Sequence, residues 1–274
     1  MEILGTSDAS QIDPLQYPWD PPPTSGVING NDFLPLHLAA GRRLGQSHLR
    51  DRADSCSSWC LDKALDEAGA APLDSRLLVV SIGSNSSPDV LRRKFAKYRQ
   101  PVSRILPLIR GQLHNIGVGH SAHASKTGYI PAAPNLRRGE CTTVWVSWLD
   151  GRQLRALDET EPNYRRIQLD GEACPLVLDN GECPETFSLF TSRWGVLTDG
   201  NGGKLPFVDQ PALFRLLAGS GSRKGLTDGK SVFEGPPERV VEQLRRPAVQ
   251  AWVKEWFRTS GFAAQVPFAG FTKT

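Results

Sequence analysis

Two segments of the sequence hold residue types that could do chemistry together. In the first, the apolar run Leu77-Leu78-Val79-Val80-Ser81-Ile82 stops at Gly83-Ser84-Asn85, and Ser87-Pro88 opens a helical pattern. A strand that turns tightly into a helix gathers backbone N–H groups at one point, where the helix dipole favours an anion. Gly83 allows close approach of a ligand, and Ser84 and Asn85 add short polar side chains. The second segment is Leu154-Arg155-Ala156-Leu157-Asp158-Glu159-Thr160-Glu161-Pro162-Asn163-Tyr164. Leu154, Leu157 and Glu161 are spaced by three and four, so they share one helical face, while Asp158 and Glu159 point elsewhere. Pro162 ends the helix near Glu161. The negative end of a helix dipole and burial both raise the pKa of a carboxylate, which makes it a better base near neutral pH. An anion-binding turn facing an inward-pointing acid is a small-molecule site. Each segment also has a plainer reading: Gly, Ser and Asn are common turn residues, and most helix-terminal acids are solvated.

The elements that must position these residues follow from composition and periodicity. Residues 1–32 are rich in Pro, Gly, Asp and Ser and read as an extended arm, partly ordered at best. Helices are predicted over 34–49 and 57–68, and a linker over 68–75 leads into the strand. A helix over 88–98 starts with Ser87 as N-cap and Pro88 at the first position. Strand patterns cover 104–110, 112–118, 142–149 and 164–169, and Asp150 caps a helix over 151–161. A hairpin joins 175–178 to 185–190 about Asp179-Asn180-Gly181. The last third reads as helices over 210–218, 237–244 and 248–259. Strands and helices do not alternate regularly, so the expected fold class is α+β with a mixed, curled sheet and helical terminal extensions. The divisions expected are an N-terminal extension over 1–72, a core over 73–204 and a C-terminal helical extension over 205–274.

Composition excludes several classes. The chain has 274 residues, and 32 basic against 29 acidic side chains leave a net charge of only +3, which argues against nucleic acid as partner. No apolar stretch reaches the roughly 18 residues of a membrane span, and no secretory signal pattern is present, so the expectation is a cytoplasmic protein. Five scattered cysteines read as reduced, mostly packing residues.

Taken together, SIGSNSSPDVLRRKF and GYIPAAPNLRRGECTTVWVSWLDGRQLRALDETEPNYRRIQL resemble the two ordered signatures of the γ-glutamylcyclotransferase superfamily, over roughly residues 77–195. The resemblance implies a small barrel-like α+β fold around a cavity and cyclisation of a γ-glutamyl group to 5-oxoproline, with release of an amine or amino acid. It places Glu161 as the catalytic acid, Ile82, Gly83, Ser84 and Asn85 on the substrate-holding turn, and Tyr164 in the pocket wall. It implies no metal and no organic cofactor, with a small γ-glutamyl compound as the partner. Two positions depart from the pattern: Ile82 stands where the family has tyrosine, and Pro162 where it has glycine. A non-catalytic binding module on the same fold and a γ-glutamyl isopeptide hydrolase are the alternatives. Residues 1–72 and 205–274 fall largely outside the resemblance and are where a second copy or a protein partner would dock.

Other candidates are weaker. His114, His120 and His123 lie close in sequence, but Gly117, Gly119 and Ser121 read as a loop without accompanying metal ligands. His120-Ser121 lacks the GxSxG setting of a nucleophilic serine. Arg92, Arg93, Lys94 and Lys97 read as the solvated face of the helix over 88–98.

Overall fold

A computed structural model describes residues 13–50, 58–219 and 230–272. Its first strands are β1 (Gly26–Asn29), β2 (Asp32–His37), β3 (His48–Arg50), β4 (Ser58–Cys60) and β5 (Leu77–Ser81). Two long strands follow, β6 (Ile105–His120) and β7 (Ala132–Leu149). The remainder are β8 (Tyr164–Asp170), β9 (Leu176–Leu178), β10 (Thr186–Ser192), β11 (Val196–Leu197) and β12 (Ala263–Ala264). The helices are α1 (Leu61–Glu67), α2 (Pro88–Ala96), α3 (Gly151–Thr160), α4 (Gln210–Gly219), α5 (Pro237–Leu244) and α6 (Pro247–Thr259).

The main sheet runs β4-β3-β2-β1-β6-β7-β5-β10-β8, with β9 added beside β6. All its pairs are antiparallel except β5 with β10, so the sheet is mixed and the architecture is α+β. The expected strands at 104–110 and 112–118 are one strand. Gly111 does not break it; a Cβ there would lie 3.0 Å from the Val177 carbonyl oxygen, so the glycine lets β9 come alongside. The irregularity falls later, at Asn115, whose φ of 65° marks a register shift between His114 and Ile116.

Three expectations are corrected. Residues 34–49 are not helical but contain most of β2, a 3-10 turn at Leu44–Gln46 and the start of β3. The segment pairs instead on both sides as a strand, β2 lying between β1 and β3. The described part of the N-terminal arm is ordered: Tyr17 is fully buried and β1 is a member of the main sheet, because Val27 and Ile28 bury against it. Residues 1–12 of that arm, and Cys56, lie outside the described residues. The hairpin of 175–178 with 185–190 does not form. β9 lies on β6, and β10 fits between β5 and β8, burying Phe187 and Leu189.

Helices α2 and α3 pack on one face of the sheet, with Leu91, Leu154 and Leu157 against Val79, Leu106, Leu108 and Trp145. The predicted stripe of α3 is therefore buried, and Asp150 starts that helix with a full capping box, reciprocated by Gln153. The C-terminal helices form where periodicity placed them. They make a core of their own around Phe214, Phe233, Trp256, Phe257 and Phe262, which also takes in Ala122, Ala124 and Ile130 from the connection after β6. No helix among the described residues is long and apolar enough to cross a membrane.

Candidate active site

The turn after β5 is a short 3-10 segment, Ser84–Ser86, that leads directly into α2. Ser86 N–H donates to the Gly83 carbonyl, but the N–H groups of Ser84 and Asn85 open the segment and have no main-chain acceptor among the described residues. Gly83 is required by packing: a Cβ would lie 2.7 Å from the Tyr17 hydroxyl and 3.0 Å from Ala132 Cβ. The turn borders a cavity of about 340 Å³ whose wall also includes Ile82, Glu161 and Tyr164. The sequence-derived site residues, 76 or more positions apart between Asn85 and Glu161, thus line one hollow.

Glu161 is the C-cap of α3, with φ −115° and ψ 51°, so its side chain leaves the helical direction and turns to the Gly83–Asn85 side. Asn85 Nδ2 donates to Glu161 Oε1 at 3.0 Å, Lys94 Nζ donates to the same oxygen at 2.5 Å, and Lys94 also donates to Asn85 Oδ1 at 2.7 Å. The Lys94 and Glu161 side chains are only 18% and 12% exposed, so this pair lies away from bulk water. Among the described residues no donor reaches Oε2. One carboxylate oxygen is therefore fixed and the other is open to a ligand.

Lys94 corrects the reading of α2. Its basic neighbours suggest a solvated face, yet it lies three residues after Leu91 and four after Val90, both buried. That spacing places it on the packed side, where the charge needs a partner, and Glu161 is that partner. Spacing within α2 alone could have revealed it.

Three tyrosines complete the wall. Tyr164 O–H donates to the Ala132 carbonyl at 2.7 Å, and the Tyr17 hydroxyl accepts from Ala132 N–H at 2.7 Å. The rings of Tyr17 and Tyr129 stack at 4.5 Å, and Trp19 meets both edge-on. Burial above all, and then neighbouring tyrosine and Glu161 charges, push the Tyr17 and Tyr164 phenols well above their usual value. Burial and Glu161 raise Tyr129 as well. All three stay protonated and present O–H groups and ring faces rather than charge. Tyr17 and Tyr129 escaped the sequence reading. Tyr17 lies in the Pro-rich arm, and only long-range packing brings it beside Gly83.

The segment read as a histidine loop is the end of β6 and the turn beyond it. His114 is on the half-buried side of the strand, while His120 is buried with Nε2 accepting from Val208 N–H at 3.1 Å. His123 lines the cavity. Among the described residues, Cys60, Cys141, Cys174 and Cys183 are free thiols.

No family model and no curated protein matches this chain. The solved structures it is similar to include a gamma-glutamyl cyclotransferase, at 12% identity over 65% of this chain and 98% of that one, with a TM-score of 0.36. An uncharacterised Homo sapiens protein is similar at 14% identity over 66% of this chain and 99% of that one, with a TM-score of 0.35. An Arabidopsis thaliana protein solved in solution matches at 15% identity and a TM-score of 0.31. There the alignment spans 42% of this chain and 61% of that one, under two thirds of its length. At these scores the likenesses say nothing of activity, and the chemistry must come from the residues themselves.

Proposed function

We propose that the protein cyclises a γ-glutamyl group to 5-oxoproline and releases the attached amine or amino acid. The observation that carries this reading is the Glu161 carboxylate, held through Oε1 by Asn85 and Lys94, beside the amides of Ser84 and Asn85; among the described residues neither Oε2 nor those amides have a hydrogen-bond partner. The amides receive the substrate's α-carboxylate. The substrate's α-ammonium then stands near the glutamate, which takes one proton from it. The freed amine attacks its own γ-carbonyl carbon, a five-membered ring closes, and the tetrahedral intermediate collapses. Glu161 passes the first proton to the departing nitrogen. It then takes the second proton, which the ring nitrogen sheds as the intermediate collapses, and delivers it to the same amine. The amine leaves as an ammonium while the acid ends as it began. Because attack is intramolecular, holding the substrate folded supplies much of the acceleration. Lys94 holds the carboxylate in place with a short, charge-assisted contact.

Tyr17 and Tyr129 supply the aromatic wall beside the turn, where Ile82 brings no hydroxyl. The segment carrying Tyr17 lies outside the stretch that resembles the cyclotransferase signatures, and this accounts for a working pocket without a tyrosine at position 82. The test is incubation of the full chain with a panel of γ-glutamyl amino acids and γ-glutamyl amines while 5-oxoproline is followed. Turnover by the wild-type protein and its loss in Glu161→Gln are expected. Turnover that persists in Glu161→Gln removes the role assigned to that residue, and free glutamate in place of 5-oxoproline assigns the site to hydrolysis.

A further inference from the structure

Behind the cavity wall runs a row of hydrogen bonds that the reaction above does not use. Trp194 N–H donates to Ser192 Oγ at 3.0 Å, Ser192 Oγ lies 2.6 Å from Ser121 Oγ, and Ser121 Oγ lies 2.6 Å from His123 Nδ1. Ser192 Oγ accepts from Trp194, either hydroxyl can donate in the Ser192–Ser121 pair, and the Ser121–Nδ1 bond takes its direction from the histidine tautomer. The arrangement in which Ser192 donates to Ser121 and Ser121 to Nδ1 leaves the ring proton on Nε2.

No hydrogen bond to His123 Nε2 is found among the described residues, and His123 lines the cavity. His123 is 3% exposed and stands edge-on to Tyr164, with ring centroids 5.7 Å apart, which holds its plane. Burial, and then the charge of Lys254, push the imidazole down to about 3, so it is uncharged at neutral pH. Ser121 itself is fully buried and is also a hydrogen-bond neighbour of the Tyr164 side chain.

We propose that His123 is a catalytic residue whose Nε2–H donates a hydrogen bond to the carbonyl oxygen of the scissile γ-amide. Ser121 and Ser192 are positioning residues that hold its tautomer. This rests on the cyclotransferase reading. No proton passes through His123. As the α-amine adds to the γ-carbon, the C=O electron pair moves onto oxygen, and the hydrogen bond strengthens with that charge.

Two measurements test it. Nitrogen-15 NMR of the full chain with labelled histidine, with His123 identified by its loss in His123→Gln, is expected to show Nε2 protonated and Nδ1 bare. Ser121→Ala is expected to erase that preference. A proton on Nδ1, or an imidazolium at pH 7, overturns the proposal whatever the activity. In turnover, His123→Ala and Ser121→Ala are expected to lower kcat by roughly 10²-fold with KM little changed, and His123→Gln, which keeps an N–H donor, to recover part of it. An unchanged kcat, or an effect on KM alone, overturns it. Should no panel substrate turn over, the cyclotransferase reading fails by itself. Titration with 5-oxoproline must then still move the His123 Nε2–H signal, and an unmoved signal overturns the donor role.

Discussion

Helix α3 ends in two opposite ways. At its N-terminal end Arg76, 6% exposed, donates through Nε to the Ala71 carbonyl at 2.7 Å and through Nη1 to the Trp148 carbonyl at 3.1 Å and to Gln153 Oε1 at 3.2 Å. Fully buried Gln153 donates to the Ser103 carbonyl at 2.8 Å and accepts from Asp150 N–H at 3.0 Å. Apart from Arg76 Nη2, the buried side-chain polar atoms of this cluster have partners among the described residues. At the other end Glu161 also sits out of bulk water, but one of its oxygens has no partner among the described residues and a hollow lies before it. The first arrangement ties the helix to β5, β6 and β7. The second keeps an acceptor in reserve. A buried polar group with every bond made contributes stability, and one left short of a bond beside a cavity is where a ligand can gain.

The sharpest way to break that comparison is to exchange outcomes between the two ends. Glu161→Gln is expected to reduce 5-oxoproline formation by about 10³-fold and, because Lys94 loses its counter-charge but keeps Asn85 Oδ1 as an acceptor, to lower the urea midpoint by less than Arg76→Leu does. Arg76→Leu is expected to cost about 3 kcal/mol in urea unfolding, since several carbonyls lose their donor, with kcat per folded molecule unchanged. If Arg76→Leu were stable and inactive, the division between the two ends would be wrong.

A second prediction extends the comparison to groups held uncharged. Burial brings His120 down to about 4 and His123 down to about 3, below the ordinary value of 6.5. The unfolded chain then binds protons that the native state refuses, so this stability is present above pH 6.5 and is lost as the pH falls toward those lower values. Each histidine is expected to cost about 2 kcal/mol by pH 5, read as a lower urea midpoint than at pH 7. His120→Gln should flatten the slope, and a slope unchanged by it would contradict the assignment. The smallest effect belongs to the cap of α3. Asp150 Oδ1 accepts from the N–H groups of Arg152 and Gln153, each at 2.8 Å, and Asp150→Ala is expected to cost about 1 kcal/mol of unfolding free energy without altering KM.

Legibility from the sequence was uneven for physical reasons. The strand and turn at Leu77–Asn85, the stripe of Leu154, Leu157 and Glu161, and the helices near the C-terminus were readable because neighbours in sequence set their pattern. Residues 26–50 misled, because short strands completed by β6 carry no strong period of their own. Lys94 was hidden among basic neighbours although its spacing marked it as inward. The destination of β10 was invisible, since a parallel partner at β5 is chosen by space left in the sheet and not by the local turn.

What the sequence determined by itself is the chemistry available: a glutamate at a helix end, a glycine turn, and the stripe of Leu154 and Leu157 that seats the helix between them. Tertiary structure decided which oxygen of Glu161 is engaged, that Tyr17 from a distant segment walls the cavity, and that Ser121 meets Ser192. Those outcomes depend on closing contacts across many tens of residues. Their geometry is set by packing of the whole sheet, and no local periodicity encodes it.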